Sequence, residues 1–317
     1  MFSLFLCFCV LILFILNSEP VMHGAATGLM LWYRNVIPVL LPFMILSNII
    51  VAKVKNLSSN SHTNQSANAS RLALSTTFLL GLFCGYPLGA KTASDFVREG
   101  VYSPRLGNLI VPVCNNSSPM FIAGYIVHTL LSDTISLPFA MLMIYTPYLL
   151  FLALSAICCF IAQGKSGFRN ISAASRDSRQ RKKTSIIENK NTVSASNVSR
   201  DYMLDSMIQI TYVGIYIILC SIIIEFLAVL PELSPLQTTL LSGITEITNG
   251  TYLLAGCAGL ETKIKTALIL AVTSFGGISA ILQTNKVISA SGLSIISYVC
   301  IKLLCAAGTY IMTILFI

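Results

Sequence analysis

Nine apolar runs succeed one another along the chain, most of them near the roughly 20 residues a helix needs to cross hydrocarbon. They are Phe2–Leu16, Thr27–Ala52, Leu72–Asp95, Leu106–Leu131, Ile135–Ala162, Met203–Leu230, Leu236–Gly259, Thr266–Thr284 and Leu293–Ile317. Inside a bilayer every backbone N–H and C=O must be bonded within the protein, so such runs fold as helices. Composition agrees: 55% of the 317 residues are hydrophobic and only 10% are charged, against about 25% charged in a soluble domain. The sequence predicts an all-α polytopic membrane protein with eight or nine hydrophobic segments. The count turns on Phe2–Leu16, which a secretory leader could also resemble. No positive stretch precedes it and no small-x-small site follows, so an extra helix over residues 1–22 is the expectation.

The net charge of +8 is concentrated in one place. Between Lys165 and Arg200 stand nine Lys or Arg against Asp177 and Glu188. This basic, Ser/Asn-rich stretch reads as a solvated linker over residues 164–201, cytoplasmic by the positive-inside rule and able to touch anionic lipid. It lacks interleaved aromatics, and no nucleic-acid partner is expected. Most of the ten cysteines lie deep in apolar runs without a C-x-x-C pair, as small hydrophobes do, and the three histidines are isolated, so no metal is expected.

The linker divides the chain into a first membrane half, residues 23–163, and a second, residues 202–317. Each holds four hydrophobic elements, and the second and third of each are interrupted. The interruptions read "CGYPLGAK" and "CNNSSPMF" in one half, "ITEITNGTY" and "SFGGISAILQ" in the other. Corresponding broken segments in two halves point to a transporter binding site. With the linker inside and Leu72–Asp95 re-entrant, Lys53, Lys55, Arg71, Arg98 and Arg105 also fall inside, whereas Lys263 and Lys265 fall outside. The halves then form an inverted repeat with broken and re-entrant helices.

Polar groups at the breaks are costly in lipid and so require a reason. At the first, Gly85, Tyr86, Pro87 and Gly89 form an open turn whose amides can face a solute. Lys91 follows, either paired with Asp95 one turn on or supplying positive charge to an anionic substrate. At the second, Asn115, Asn116, Ser117 and Ser118 separate two half-helices, with Pro119 opening the latter; a polar kink that only packs is the alternative. In the third, Glu246 stands beside Thr245, Thr248 and Asn249, and suits proton coupling if protonated or cation-paired. In the fourth, Ser274, Gly276, Gly277 and Gln283 either contact the solute or pack closely. Glu225 is expected at an interface, and Lys286 and Lys302 at segment ends, where they can snorkel. Paired carboxylates, nucleophile elbows and metal motifs do not appear, so no catalytic residue or enzyme is expected.

Four stretches together, "WYRNVIPVLLPFMILSNII", "GYPLGAKTASD", "NNSSPMFIAG" and "SFGGISAILQ", resemble the YlbJ type of sporulation integral membrane protein, in order from about residue 25 to 317. That family carries the nucleoside-recognition, or Gate, domain and is distantly similar to concentrative nucleoside transporters. Ser118 stands where the family more often has Gly, and the loop Lys53–Arg71 is short. The resemblance implies a transporter in the mother-cell-derived outer forespore membrane, moving dipicolinate, a planar dianion, toward the forespore. Lys91 and the ring of Tyr86 would receive it, with H+ or Na+ as coupling ion and no other cofactor. A nucleoside carrier is the first alternative. A morphogenetic scaffold of cortex assembly, acting through the linker, is the second.

Overall fold

A computed structural model describes residues 2–59, 66–131, 134–163, 195–229 and 233–317. The greater part of the basic linker, residues 164–194, lies outside the described residues. The described chain is helical, without strands. Its elements are α1 (Phe2–Leu16), α2 (Ser18–Leu31), α3 (Ile37–Ser59), α4 (Ser66–Cys84), α5 (Leu88–Arg98), α6 (Pro104–Cys114), α7 (Pro119–Phe121), α8 (Leu137–Gln163), α9 (Ala195–Val229), α10 (Pro235–Thr245), α11 (Ile247–Gly256), α12 (Thr262–Phe275), α13 (Gly277–Ile288) and α14 (Ile295–Phe316). A π-helical turn at Trp32–Val36 joins α2 to α3, and another, Ile122–Leu130, continues α7.

Among the described residues, five helices are long and apolar enough to cross a membrane: Pro104–Leu130, Leu137–Cys158, Met203–Val229, Thr262–Ser291 and Ile295–Phe316. A sixth arises if α1 and Ser18–Val36, bent by 95° at their junction, count as one span. They mark a membrane protein. Eight or nine hydrophobic segments were expected, Leu72–Asp95 among them as a re-entrant one. Leu72–Asp95 and Leu236–Gly259 each divide into two short helices, α4–α5 and α10–α11, that turn back on themselves.

Local chemistry explains where helices start. Ser103, Ser118 and Ser234 each precede a proline, and each hydroxyl accepts a backbone N–H three residues on, from Leu106, Phe121 and Gln237. Serine at N-cap satisfies an orphan donor, while proline at the first helical position has no N–H to waste. Many buried threonines, Thr239, Thr273 and Thr313 among them, return their hydroxyl to the carbonyl four residues back, which removes a polar group without a partner helix.

Packing relies on small residues, since lipid gives helices no hydrophobic reason to associate. Along the α2–α9 seam, Gly24 meets the backbone of Ile222, Gly28 that of Ile218, and the Trp32 ring fills the space left at Gly214. The steps of four run in opposite directions, so the helices are antiparallel. Trp32 Nε1 then donates to the Ile210 carbonyl at 2.9 Å. His23 Nδ1 lies 2.9 Å from a Glu225 carboxylate oxygen at the end of the same seam, which gives that acid a partner. The outward side chains, Leu149, Leu154, Ile223 and Leu304 among them, are apolar and exposed, as a lipid-facing surface requires.

Both hairpins close through glycine. A methyl on Gly89 would strike the Cys114 carbonyl and come within 3.1 Å of the Gly81 Cα; one on Gly250 would run into the Gly243 backbone. Gly89→Ala and Gly250→Ala are therefore expected to cost about 1–3 kcal/mol by overpacking. Gly256→Ala, which meets nothing within 4 Å, is the control expected to melt like wild type in detergent.

Candidate functional site

Four discontinuities in the helical backbone meet at one place. The first is the tip of the α4–α5 hairpin, where Gly85 has φ +70° and a Cβ would stand 2.9 Å from the Asn116 carbonyl and the Ser118 nitrogen. That neighbour is the second discontinuity, residues 115–118 between α6 and α7. The third is the tip of the α10–α11 hairpin at Glu246, and the fourth is the α12–α13 break at Gly276 and Gly277. Gly277, at φ +80°, packs on the Thr245 carbonyl, where a Cβ would lie 3.2 Å away. Each hairpin tip thus abuts the broken helix of its own half. The halves join across the centre: Ser117 Oγ donates to the Thr273 carbonyl at 3.0 Å, and the Tyr86 hydroxyl fills the space at Gly276 where any side chain would collide with it.

Tyrosine hydroxyls donate to backbone carbonyls at and beside the breaks. Tyr145 donates to Ser117 O and Tyr148 to Ser274 O, both at 2.7 Å, and Tyr125 donates to Thr248 O at 2.9 Å. Asn116 Nδ2 donates to Val113 O at 2.8 Å, and the Asn115 amide bonds the hydroxyls of Thr284 and Tyr298. Those donors replace water that a membrane interior lacks.

Glu246 is 2% exposed and caps α11. One carboxylate oxygen accepts from the Thr248 N–H at 3.0 Å, the other from Asn249 N–H at 2.8 Å. The partial positive end of a helix thereby takes the acid, where protonation or a cationic partner had been the two expectations. The next turn of chemistry is cationic. Lys302 comes from the interior of α14 and is fully buried, so the expectation that it snorkels from a segment end is corrected. Its ammonium donates to Tyr86 Oη and Asn116 Oδ1, both at 2.6 Å, and to Asn115 O at 3.4 Å. It also lies 4.9 Å from the Tyr86 ring centre, 4.7 Å from that of Tyr148 and 6.0 Å from that of Tyr298. Neutral acceptors and aromatic faces hold it, as cation–π geometry permits.

A cavity of about 380 Å³ opens beside these breaks. Of the predicted residues, Tyr86, Ser117, Ser118, Glu246, Gly276 and Gln283 line it. Gly85, Pro87 and Gly277 shape the adjoining turns, and Gly89 packs on Cys114. Asn115 and Asn116 bond inward to the Lys302 cluster. Thr245 returns its hydroxyl to Leu241 O, Ser274 bonds Tyr148, and Asn249 Nδ2 reaches Ser221 on α9. Lys91 is not among the lining residues; its ammonium donates to Asn48 Oδ1 at 2.8 Å.

Sequence reasoning passed over Arg34 and Tyr125 of the lining, and Lys302 behind it. A signal for Lys302 existed: Tyr298, Lys302, Thr309 and Thr313 recur at helical spacing on one side of α14 and are all buried. Among the described residues, no group of three or more His, Cys, Asp or Glu gathers as a metal site. No protein-family model, curated protein or solved structure matches the chain. Because Glu246 holds two backbone amides, Glu246→Ala is expected to destabilise the protein by about 1–3 kcal/mol. Thermal unfolding in detergent checks this, with Glu246→Asp predicted to retain part of the cap.

Proposed function

We propose that the chain is a solute transporter whose substrate site is the cavity among the four backbone breaks. One observation carries the reading: both hairpin tips and both broken helices converge there. A chain under no functional demand would avoid such breaks at membrane depth, because each releases polar groups that need partners. The order of elements supports two repeats of opposite topology: α3, hairpin α4–α5, broken helix α6–α7 and α8, then α9, hairpin α10–α11, broken helix α12–α13 and α14. Movement of one repeat against the other would expose the cavity to either side in turn.

For the substrate we keep a small planar anion, dipicolinate moving across the outer forespore membrane toward the forespore, as the YlbJ-type resemblance implies. The Tyr86 ring offers a stacking face, and Arg34 on the cavity wall offers the positive charge that Lys91 had been expected to bring. Each Glu246 oxygen already takes one amide, yet a carboxylate oxygen has a second lone pair. That capacity supports coupling to H+ or Na+. A nucleoside is the second reading, favoured by the neutral hydrogen-bonding groups Ser279, Gln283 and Thr248 on the same wall.

Uptake of radiolabelled dipicolinate and of uridine into proteoliposomes holding the full chain separates the two substrates. A blocking variant ties the transport to this cavity. Gly124 lines the cavity, and a Cβ there meets nothing within 4 Å, so Gly124→Leu is expected to fold normally and to abolish uptake by filling the space. Uptake at the wild-type rate in Gly124→Leu would place the solute path elsewhere.

A further inference from the structure

Among the described residues, the buried charged side chains are Glu246 and Lys302, and no ion pair joins them. Glu246 has the N-terminus of α11. Lys302 has no carboxylate: its three donors meet one phenol, one amide oxygen and one backbone carbonyl. A cation held only by neutral dipoles and ring faces carries a desolvation cost that those partners offset in part. One of the three partners differs from the others in position. Asn115 and Asn116 belong to the packed break of α6–α7, whereas Tyr86 sits on a hairpin tip, outside any helix, and lines the cavity. Its hydroxyl lies against Gly276, another residue of the cavity wall. The phenol therefore stands between the cavity and the ammonium.

We propose that Lys302 is, beside Arg34 on the wall, a second anion-recognising charge of the transport site, and that the Tyr86 hydroxyl holds the position a substrate carboxylate oxygen takes. Displacement of the Tyr86 side chain opens the cavity floor, and a carboxylate replaces a neutral acceptor with a charged one, the stronger hydrogen bond of the two. The ring of Tyr86 remains available to stack on a planar solute. A neutral solute gains nothing from this exchange, so the same device selects anions over nucleosides. This inference rests on the transporter reading and deepens it.

The test is calorimetric titration of dipicolinate, and separately of uridine, into the full chain in phosphatidylcholine nanodiscs, with uptake measured in parallel. Lys302→Met keeps the apolar stem and removes the charge; dipicolinate affinity is expected to fall roughly tenfold or more, the worth of a charged hydrogen bond. Tyr86→Phe keeps the ring and removes the competing acceptor; affinity is expected to rise about threefold. Should Lys302→Met fail to fold, Tyr86→Phe decides alone. Unchanged or weaker binding in Tyr86→Phe overturns the proposal, as does wild-type affinity in a folded Lys302→Met. Wild type that binds and transports uridine but not dipicolinate overturns the role of Lys302 and leaves the transporter reading standing. Dipicolinate binding with the expected variant pattern but no uptake of either solute leaves Lys302 in an anion site and overturns transport.

Discussion

A backbone that leaves helical geometry at membrane depth frees N–H and C=O groups in a medium that cannot bond them. Everything central in this protein follows from how that deficit is met. The breaks are placed against one another, so that a serine of one reaches the carbonyl of another, and two tyrosines from α8 reach further carbonyls. Glu246 performs the same service at an N-terminus, using its charge where Ser118 uses a hydroxyl. The polar centre is consequently a mutually bonded body, and the cavity is the part of it left unfilled.

The same logic explains which features were readable from the sequence. One helix start was, at Pro119, and Ser–Pro at 103–104 and 234–235 carries the same two-letter cap, which the apolar runs alone had placed at Leu106 and Leu236. The breaks were too: glycine and proline in "GYP" mark a turn, and of the two readings open to the paired glycines in "SFGG", close packing or a break, the positive φ of Gly276 and Gly277 gives the break, as that of Gly85 does at the first site. The number of spans was harder to read. Apolar length does not distinguish a crossing helix from a hairpin, and the pairs Gly81/Gly89 and Gly243/Gly250 act only once the chain has turned back.

Charge was the least legible quantity. Lys91 and Lys302 each interrupt an apolar run, and proximity to a break favoured the first. Yet Lys91 is two residues from Gly89, roughly 200° around the helix. Gly89 packs inward on Cys114, and Lys91 turns toward Asn48 on α3. Lys302 is far from any break in sequence and reaches one only because α14 packs along the polar centre. Direction around a helix axis, which spacing gives modulo a rotation, needed the neighbouring helices to fix it.

The seam of Gly24, Gly28 and Trp32 along α9 has one more implication, for the chain as an assembly. It binds the start of the first half to the start of the second, while Ser117 with Thr273 and Asn116 with Lys302 bind their centres. None of these attachments involves residues 164–194. Two polypeptides, one ending and one beginning within that stretch, carry between them every such contact. Covalent continuity thus adds proximity to contacts that two separate chains would already share.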